Sequence, residues 1–281
     1  MIVRHIATGL ALVVTLGLAA CAPVRIAEDA FFYPNERVRA EGMVLPVGPA
    51  FPDGSETLSL PYEGGAVAAT RVRGSASGPI ILFCGGNLFR RGTVGAMTAQ
   101  TLAPFGDVVL FDYPGYGDTP GTADLVSFRQ AGAAVAAWVA RTAEAEGRDI
   151  VAWGHSLGGP VCAEATRLID VNTVVIEAST PTARAVVNDS LGLLRPFIRV
   201  EIDPGLDSFN VVETLSDFDG EVIVLEAGRD ETLPARLSRD LANGLQAEGV
   251  DVERLVFPEA GHNNIRRQPD FRARLEAALT P

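Results

Sequence analysis

Residues 149–159 constrain this chain more than any other stretch. Asp149-Ile150-Val151-Ala152-Trp153 is an apolar run that reads as a buried strand. Pro160-Val161-Cys162-Ala163-Glu164-Ala165-Thr166-Arg167-Leu168 reads as a helix. Between them lies Gly154-His155-Ser156-Leu157-Gly158-Gly159. A serine between small residues at a strand-to-helix turn is the context that a nucleophile elbow needs. Glycines at 154 and 158 let the two backbones pack closely, which holds Ser156 above a sheet with a helix N-terminus behind it. The turn predicts acyl transfer through a covalent serine ester.

A serine hydroxyl needs a base, and the chain has three histidines. His5 lies in an N-terminal segment expected to be removed, and His155 adjoins the serine, so its side chain is expected to point away from the attack site. His262 remains, in Glu259-Ala260-Gly261-His262-Asn263-Asn264, after the strand-like Val252-Glu253-Arg254-Leu255-Val256-Phe257. Taken alone it would read as an ordinary loop histidine; with the elbow it reads as the base. The acid is then sought between residues 156 and 262. Asp230, in Gly228-Arg229-Asp230-Glu231-Thr232-Leu233-Pro234, follows the strand run Glu221-Val222-Ile223-Val224-Leu225 and would emerge at the carboxyl edge of a sheet. There it would fix the imidazole tautomer. Glu177, at the end of Thr173-Val174-Val175-Ile176, and Glu231 are its rivals, whereas Asp203 and Asp207 read as solvated.

An oxyanion hole completes such a site. One donor is expected from the backbone N–H after the nucleophile, Leu157. The other is expected from Cys84-Gly85-Gly86-Asn87, after the strand run Pro79-Ile80-Ile81-Leu82-Phe83, with Asn87 the favoured residue. By itself a Gly-Gly-Asn stretch is also an ordinary strand-end turn.

Together these residues resemble the α/β-hydrolase superfamily, and within it the single-domain serine hydrolases of the serine aminopeptidase and depalmitoylase-like branch. Gly85-Gly86-Asn87-Leu88 resembles that branch's first loop, with Leu88 where a small residue is usual. Phe111-Asp112-Tyr113-Pro114-Gly115-Tyr116-Gly117 looks like its loop after the fourth strand. Asp230 to Pro234 resembles an Asp-x-x-Val-Pro acid loop with Leu233 for Val. Ile176-Glu177-Ala178-Ser179 and Asp207-Ser208-Phe209 also look familial, which makes Glu177 a structural member rather than the acid. The resemblance covers roughly residues 57 to 281. It implies an α/β-hydrolase fold: a mostly parallel eight-stranded sheet, helices on both faces, and a short cap.

The N-terminus reads as an address. Residues 1–20 hold Arg4 and a short apolar run, too short for the ~20 residues that span a bilayer and suited to a signal peptide. Leu18-Ala19-Ala20-Cys21 looks like a bacterial lipobox, so Cys21 is the expected lipidated N-terminus of the mature chain. Several acyl chains would anchor where one cannot. Ala22 in place of aspartate points to the outer membrane, facing the periplasm. Residues 21–55 read as a tether and extension whose Ala30-Phe31-Phe32-Tyr33-Pro34 packs on the domain, and residues 56–281 as the hydrolase domain.

Composition narrows the alternatives. A formal charge of −12 repels a phosphate backbone, which argues against nucleic-acid binding. No P-loop, no GxGxxG and no Cys/His cluster occurs, so neither cofactor nor metal is implied. Cys84 and Cys162 are expected to behave as separate small buried hydrophobes, although an oxidising compartment would permit a bridge.

Strands are expected near 57–61, 66–72, 80–83, 108–112, 150–153, 173–176, 222–225 and 252–257. Helices are expected near 92–103, 124–146, 157–169, 234–248 and 268–279. Strands alternating with helices give a mostly parallel sheet. Residues 191–219 are the only stretch long enough for a cap.

The function expected is a serine hydrolase cleaving an ester, thioester or amide. Short acyl groups are expected because the cap is small, with Leu88, Phe89, Leu193, Leu194, Pro196 and Phe197 available for a modest acyl pocket. An acyltransferase with the same triad, or a binding lipoprotein without catalysis, are the alternatives.

Overall fold

The computed structural model describes residues 23–279. The expected signal peptide and Cys21 lie outside the described residues. Ten strands occur in chain order: β1 (Val24–Ile26), β2 (Glu56–Tyr62), β3 (Gly65–Val72), β4 (Ile80–Cys84), β5 (Asp107–Phe111), β6 (Ile150–His155), β7 (Thr173–Glu177), β8 (Val200–Ile202), β9 (Glu221–Ala227) and β10 (Val252–Phe257). Eight of them form one sheet in the order β10-β9-β7-β6-β4-β5-β3-β2. The β2–β3 and β3–β5 pairs are antiparallel. The other five neighbouring pairs are parallel.

The central strands β4, β5 and β6 are buried at every position. Such strands must be apolar on both faces, because helices cover both. The alternation is visible in β4: Ile80, Leu82 and Cys84 join one core, while Ile81 and Phe83 join the other. The first core takes residues of the helices Leu125–Glu146, Gly158–Ala165 and Ala235–Ala247. The second takes residues of the helices Ala96–Leu102 and Phe271–Ala278. The long helix Leu125–Glu146 starts where the Asp124 carboxylate accepts the Ser127 N–H at 2.7 Å, and it stops at Gly147 in the left-handed conformation (φ 61°). Both ends thereby satisfy backbone groups that a helix leaves open.

Two regions depart from the expectations. The first is the cysteine pair, which the structure joins as a disulfide with Cα atoms 5.8 Å apart. The physical reason is the close approach of the helix Gly158–Ala165 to the end of β4. A Cβ on Gly158 would lie 1.9 Å from the Cys84 carbonyl oxygen. Cys162 sits four residues further, on the same helix face. The glycine that touches the Cys84 backbone and the cysteine that bonds its sulfur are therefore one turn apart. Closing a loop of this separation, 78 residues, stabilises the fold by about 4 kcal/mol in the chain-entropy account.

The second is the N-terminal segment. The first part of the expected tether contains a strand, β1, paired in parallel with β8, with Val24 opposite Val200 and Ile26 opposite Ile202. Further along, Phe32 packs on Phe128 with ring centroids 4.7 Å apart, as the apolar 30–34 stretch led one to expect. The insert between β7 and β9 begins earlier than expected. It comprises the helix Ala183–Leu191, a tight turn Gly192–Phe197, β8, and the short helices Pro204–Asp207 and Val211–Leu215.

Candidate active site

The site lies at the carboxyl edge of the parallel strands, where ligands bind in open α/β sheets. Ser156 directly follows β6 and has φ 54°. A non-glycine residue in this conformation is strained, and such strain persists only where the surroundings hold it. Here the Ser156 N–H donates to the Glu177 carbonyl at 2.9 Å. Its carbonyl accepts from Gly159 N–H at 2.9 Å and from the Ser179 hydroxyl at 2.8 Å. A Cβ on Gly154 would meet the Gly158 carbonyl oxygen at 2.4 Å, so the turn is too tight there for any side chain.

His262 is in the loop after β10, and its Nε2 lies 3.0 Å from Ser156 Oγ. Its Nδ1 lies 2.8 Å from Asp230 Oδ2. Asp230 is in the loop after β9, with its side chain 1% exposed. Its other oxygen, Oδ1, accepts the backbone N–H groups of Thr232 and Leu233, each at 2.8 Å. Those two bonds aim the carboxylate at the imidazole. With Nδ1–H donating to Asp230, Nε2 presents its lone pair to the Ser156 hydroxyl. The structure thus brings together the three side chains that the sequence singled out.

His155 turns away from the serine, as expected, yet it serves the same relay. Its Nε2–H donates to the His262 carbonyl at 3.0 Å. Burial lowers its pKa to about 4, a trend to which the neighbouring His262 and Arg266 add and which Glu177 opposes. At neutral pH it is therefore an uncharged donor that fixes the His262 backbone.

Glu177 is not within the relay. Its Oε2 accepts the Trp153 indole N–H at 2.9 Å, and its Oε1 lies 3.2 Å from Arg266 Nε. Arg266 in turn lies over the Phe83 ring, 5.1 Å from its centroid. Glu177 is fully buried and pairs with this arginine beneath the loop that carries His262. Its role here is structural, as the family resemblance implies. Glu231 is exposed.

The loop Gly85-Gly86-Asn87 follows β4 and passes beside the serine. A Cβ on Gly86 would stand 3.4 Å from Ser156 Cβ and 2.9 Å from His155 Nδ1. Among the described residues, neither the Leu157 N–H nor the Asn87 N–H donates to another protein group. The Asn87 side chain is engaged elsewhere. Its Oδ1 accepts from the Tyr33 N–H at 3.0 Å and from the Tyr116 hydroxyl at 2.8 Å, while its Nδ2 donates to the Phe31 carbonyl. The Tyr113 hydroxyl donates to the Gly85 carbonyl at 2.9 Å. Sequence reasoning noticed the Phe111–Gly117 motif without assigning these tyrosines a task. Their spacing from Asp112 carried no contact information, because their partners lie about 30 to 80 residues away.

Leu193, Leu194 and Phe197, expected as acyl-pocket residues, stand in solvent, and Pro196 is exposed too. Phe89 is buried against Phe83, with ring centroids 5.4 Å apart. The expected pocket is therefore not built from these four exposed residues. Their turn, Gly192–Phe197, follows the buried Leu191 and projects outward. Among the described residues no group of three or more His, Cys, Asp or Glu is arranged to hold a metal ion.

Sheet order and site position define an alpha/beta hydrolase fold, and the chain has that fold. Residues 80–219 match the model of the alpha/beta hydrolase family. Two uncharacterized proteins from two strains of Mycobacterium tuberculosis are each 30% identical over 190 residues. That stretch is 67% of this chain and 64% of theirs, so the chain spans somewhat less than two thirds of their length. Among solved structures, a Pyrococcus furiosus esterase superposes with a TM-score of 0.64 at 15% identity, covering 84% of this chain and 96% of that one. The esterase Est1E of Butyrivibrio proteoclasticus, solved with ferulic acid bound, gives 0.60 at 16%, covering 79% and 96%. Esterase 2 of Thermogutta terrifontis, solved phosphoramylated by tabun, gives 0.61 at 16%, covering 82% and 96%. At these identities the likeness is one of fold.

Proposed function

We propose that the chain is a serine hydrolase that cleaves small acyl esters, thioesters or amides through an acyl-enzyme on Ser156. The observation that carries this is the continuous relay from Ser156 Oγ to His262 (3.0 Å) to Asp230 (2.8 Å). In the first step His262 Nε2 takes the hydroxyl proton as Oγ bonds to the substrate carbonyl carbon. Asp230 stabilises the imidazolium that results. The carbonyl oxygen becomes an oxyanion, for which the free N–H groups of Leu157 and Asn87 are the donors. The imidazolium then returns the proton to the leaving group, and the acyl group stays on Ser156. Water, deprotonated by His262, then attacks the acyl carbon; the imidazolium returns that proton to Ser156 Oγ as the Oγ–acyl bond breaks, and the carboxylic acid leaves.

The mature chain is anchored by acyl groups on Cys21 and faces the periplasm from the outer membrane. Support for this comes from Leu18-Ala19-Ala20-Cys21 and from Ala22. The buried Cys84–Cys162 disulfide also supports an oxidising compartment. Preference for short acyl groups is supported by the outward turn at 192–197, which leaves those side chains off the acyl path. Each methylene that finds an apolar wall contributes about 0.8 kcal/mol, a gain forgone where that wall is missing. A series of p-nitrophenyl esters from acetate to palmitate tests the preference. The expected outcome is kcat/KM that stops rising after the shortest members, and a steady rise to palmitate contradicts it.

A further inference from the structure

We propose that the turn Gly192–Phe197 is a membrane-docking surface that seats the cap on the phospholipid bilayer. The proposal takes the bilayer from the Cys21 anchor proposed above. Leu193 is 94% exposed, Phe197 81% and Leu194 52%. Single exposed apolar side chains are ordinary, but three within five residues, on one turn, form a patch that water disfavours. Arg195 and Arg199 are exposed beside them. Leucine and phenylalanine flanked by arginine are what a protein presents to an interface with anionic headgroups, in which the guanidinium reaches up as the apolar groups sink. This basic pair is found on a chain whose formal net charge is −12, which as a whole is repelled by such lipids.

The chain path says what covers the patch. β1 runs parallel to β8, and the Val24 N–H donates to the Arg199 carbonyl at 2.8 Å. The start of β1 is therefore tied to a residue two positions beyond Phe197. Only Ala22 and Pro23 separate Val24 from Cys21. Three Cα–Cα steps reach at most about 11 Å. Acyl chains on Cys21 would enter the bilayer within that reach of the β1–β8 pair, and the turn beside it would meet the same surface. One short parallel pair thereby converts an anchor at the N-terminus into a fixed orientation of the cap. The anchor alone would leave the domain free to tumble on a tether.

The test uses the lipidated full-length protein in vesicles of phosphatidylethanolamine and phosphatidylglycerol with brominated acyl chains, which quench indole fluorescence on contact. Phe197→Trp places an indole in the patch, and Glu276→Trp places one on an exposed position of the C-terminal helix. After subtraction of the native indoles, the Phe197→Trp signal is expected to fall at least about twofold relative to Glu276→Trp. The Leu193→Ser/Leu194→Ser change in the Phe197→Trp background is expected to reduce that difference. Equal quenching at the two positions, in protein that remains with the vesicles, overturns the proposal. So does loss of quenching together with self-association that Phe197→Asp abolishes, since the patch would then belong to a second copy. Mass spectrometry of the N-terminal peptide separates the two claims. Acylated Cys21 with no quenching at 197 refutes the docking surface, whereas quenching at 197 with unmodified Cys21 supports the surface and removes the anchor.

Discussion

The relay and the N-terminal segment are built on opposite principles. Ser156, Asp230 and His262 each follow the end of a parallel strand, so short loops deliver them to one edge once the sheet forms. The N-terminal segment makes no such use of the sheet. It reaches the site by long-range contacts: β1 on β8, Phe32 on Phe128, and the Tyr33 N–H on both Asn87 and Tyr116. The comparison teaches that a local motif can place reacting atoms while distant segments hold their surroundings. Changes in the first region should therefore alter chemistry with little loss of stability, and changes in the second the reverse.

The largest expected effect lies in the relay. Asp230→Ala should lower kcat/KM for a short ester by roughly 10⁴-fold, since triad members act as a unit. Glu177→Gln should instead act mainly on thermal stability, because it weakens a buried pair with Arg266. Steady-state kinetics and calorimetry on both variants check this. Loss of turnover in Glu177→Gln with full activity in Asp230→Ala would invert the assignment.

Next comes the disulfide, which lies within the scaffold of the first region and ties the end of β4, before the Gly85-Gly86-Asn87 loop, to the helix after Ser156. Cys84→Ala/Cys162→Ala should lose about 4 kcal/mol in denaturant unfolding while retaining labelling at Ser156. No loss of stability would mean that the sulfurs contribute packing alone.

His155 gives a pH signature. Its folded pKa, about 4, lies below the 6.5 of the unfolded chain, so the unfolded state binds the extra proton between those values. Its contribution to stability is fully present above pH 6.5 and declines as pH falls towards 4, by about 3 kcal/mol in total. Unfolding free energies between pH 7 and 4 should show this slope, and His155→Gln should flatten it.

The smallest expected effect is a gain. Ser156→Gly should abolish turnover yet stabilise the fold by about 1 kcal/mol, because glycine relieves the strain at φ 54°. A lower Tm in that variant would show that the turn is held by the serine side chain instead.

Much of the fold was legible because its signals are local. All eight sheet strands fall where apolar runs of the right length stood, from 57–61 to 252–257, and the long alanine-rich helix ends at a glycine. The candidate site was legible because elimination left one histidine, and because Asp230 followed a suitable strand in a loop of familial form, which set it ahead of Glu177 and Glu231. What was missed depends on pairing between distant residues. The three-residue strands β1 and β8 are too short to show a period, and their pairing joins residues 24 and 200. Cys84 and Cys162 gave no spacing signal, although Gly158 one turn before Cys162 records the close approach. The outward turn at Leu193 and Phe197 reads in sequence as a pocket wall, because apolar residues carry no mark of what they face.

The central claim is that His262, held by Asp230, makes Ser156 a nucleophile. The most direct measurement is covalent labelling of the full-length protein by a fluorophosphonate, with the modified residue located by peptide mass spectrometry. Rapid labelling at Ser156 in the wild type, none in Ser156→Ala, and a rate at least about 10³-fold lower in His262→Ala are expected. Labelling at another residue, or an undiminished rate in His262→Ala, would contradict the account.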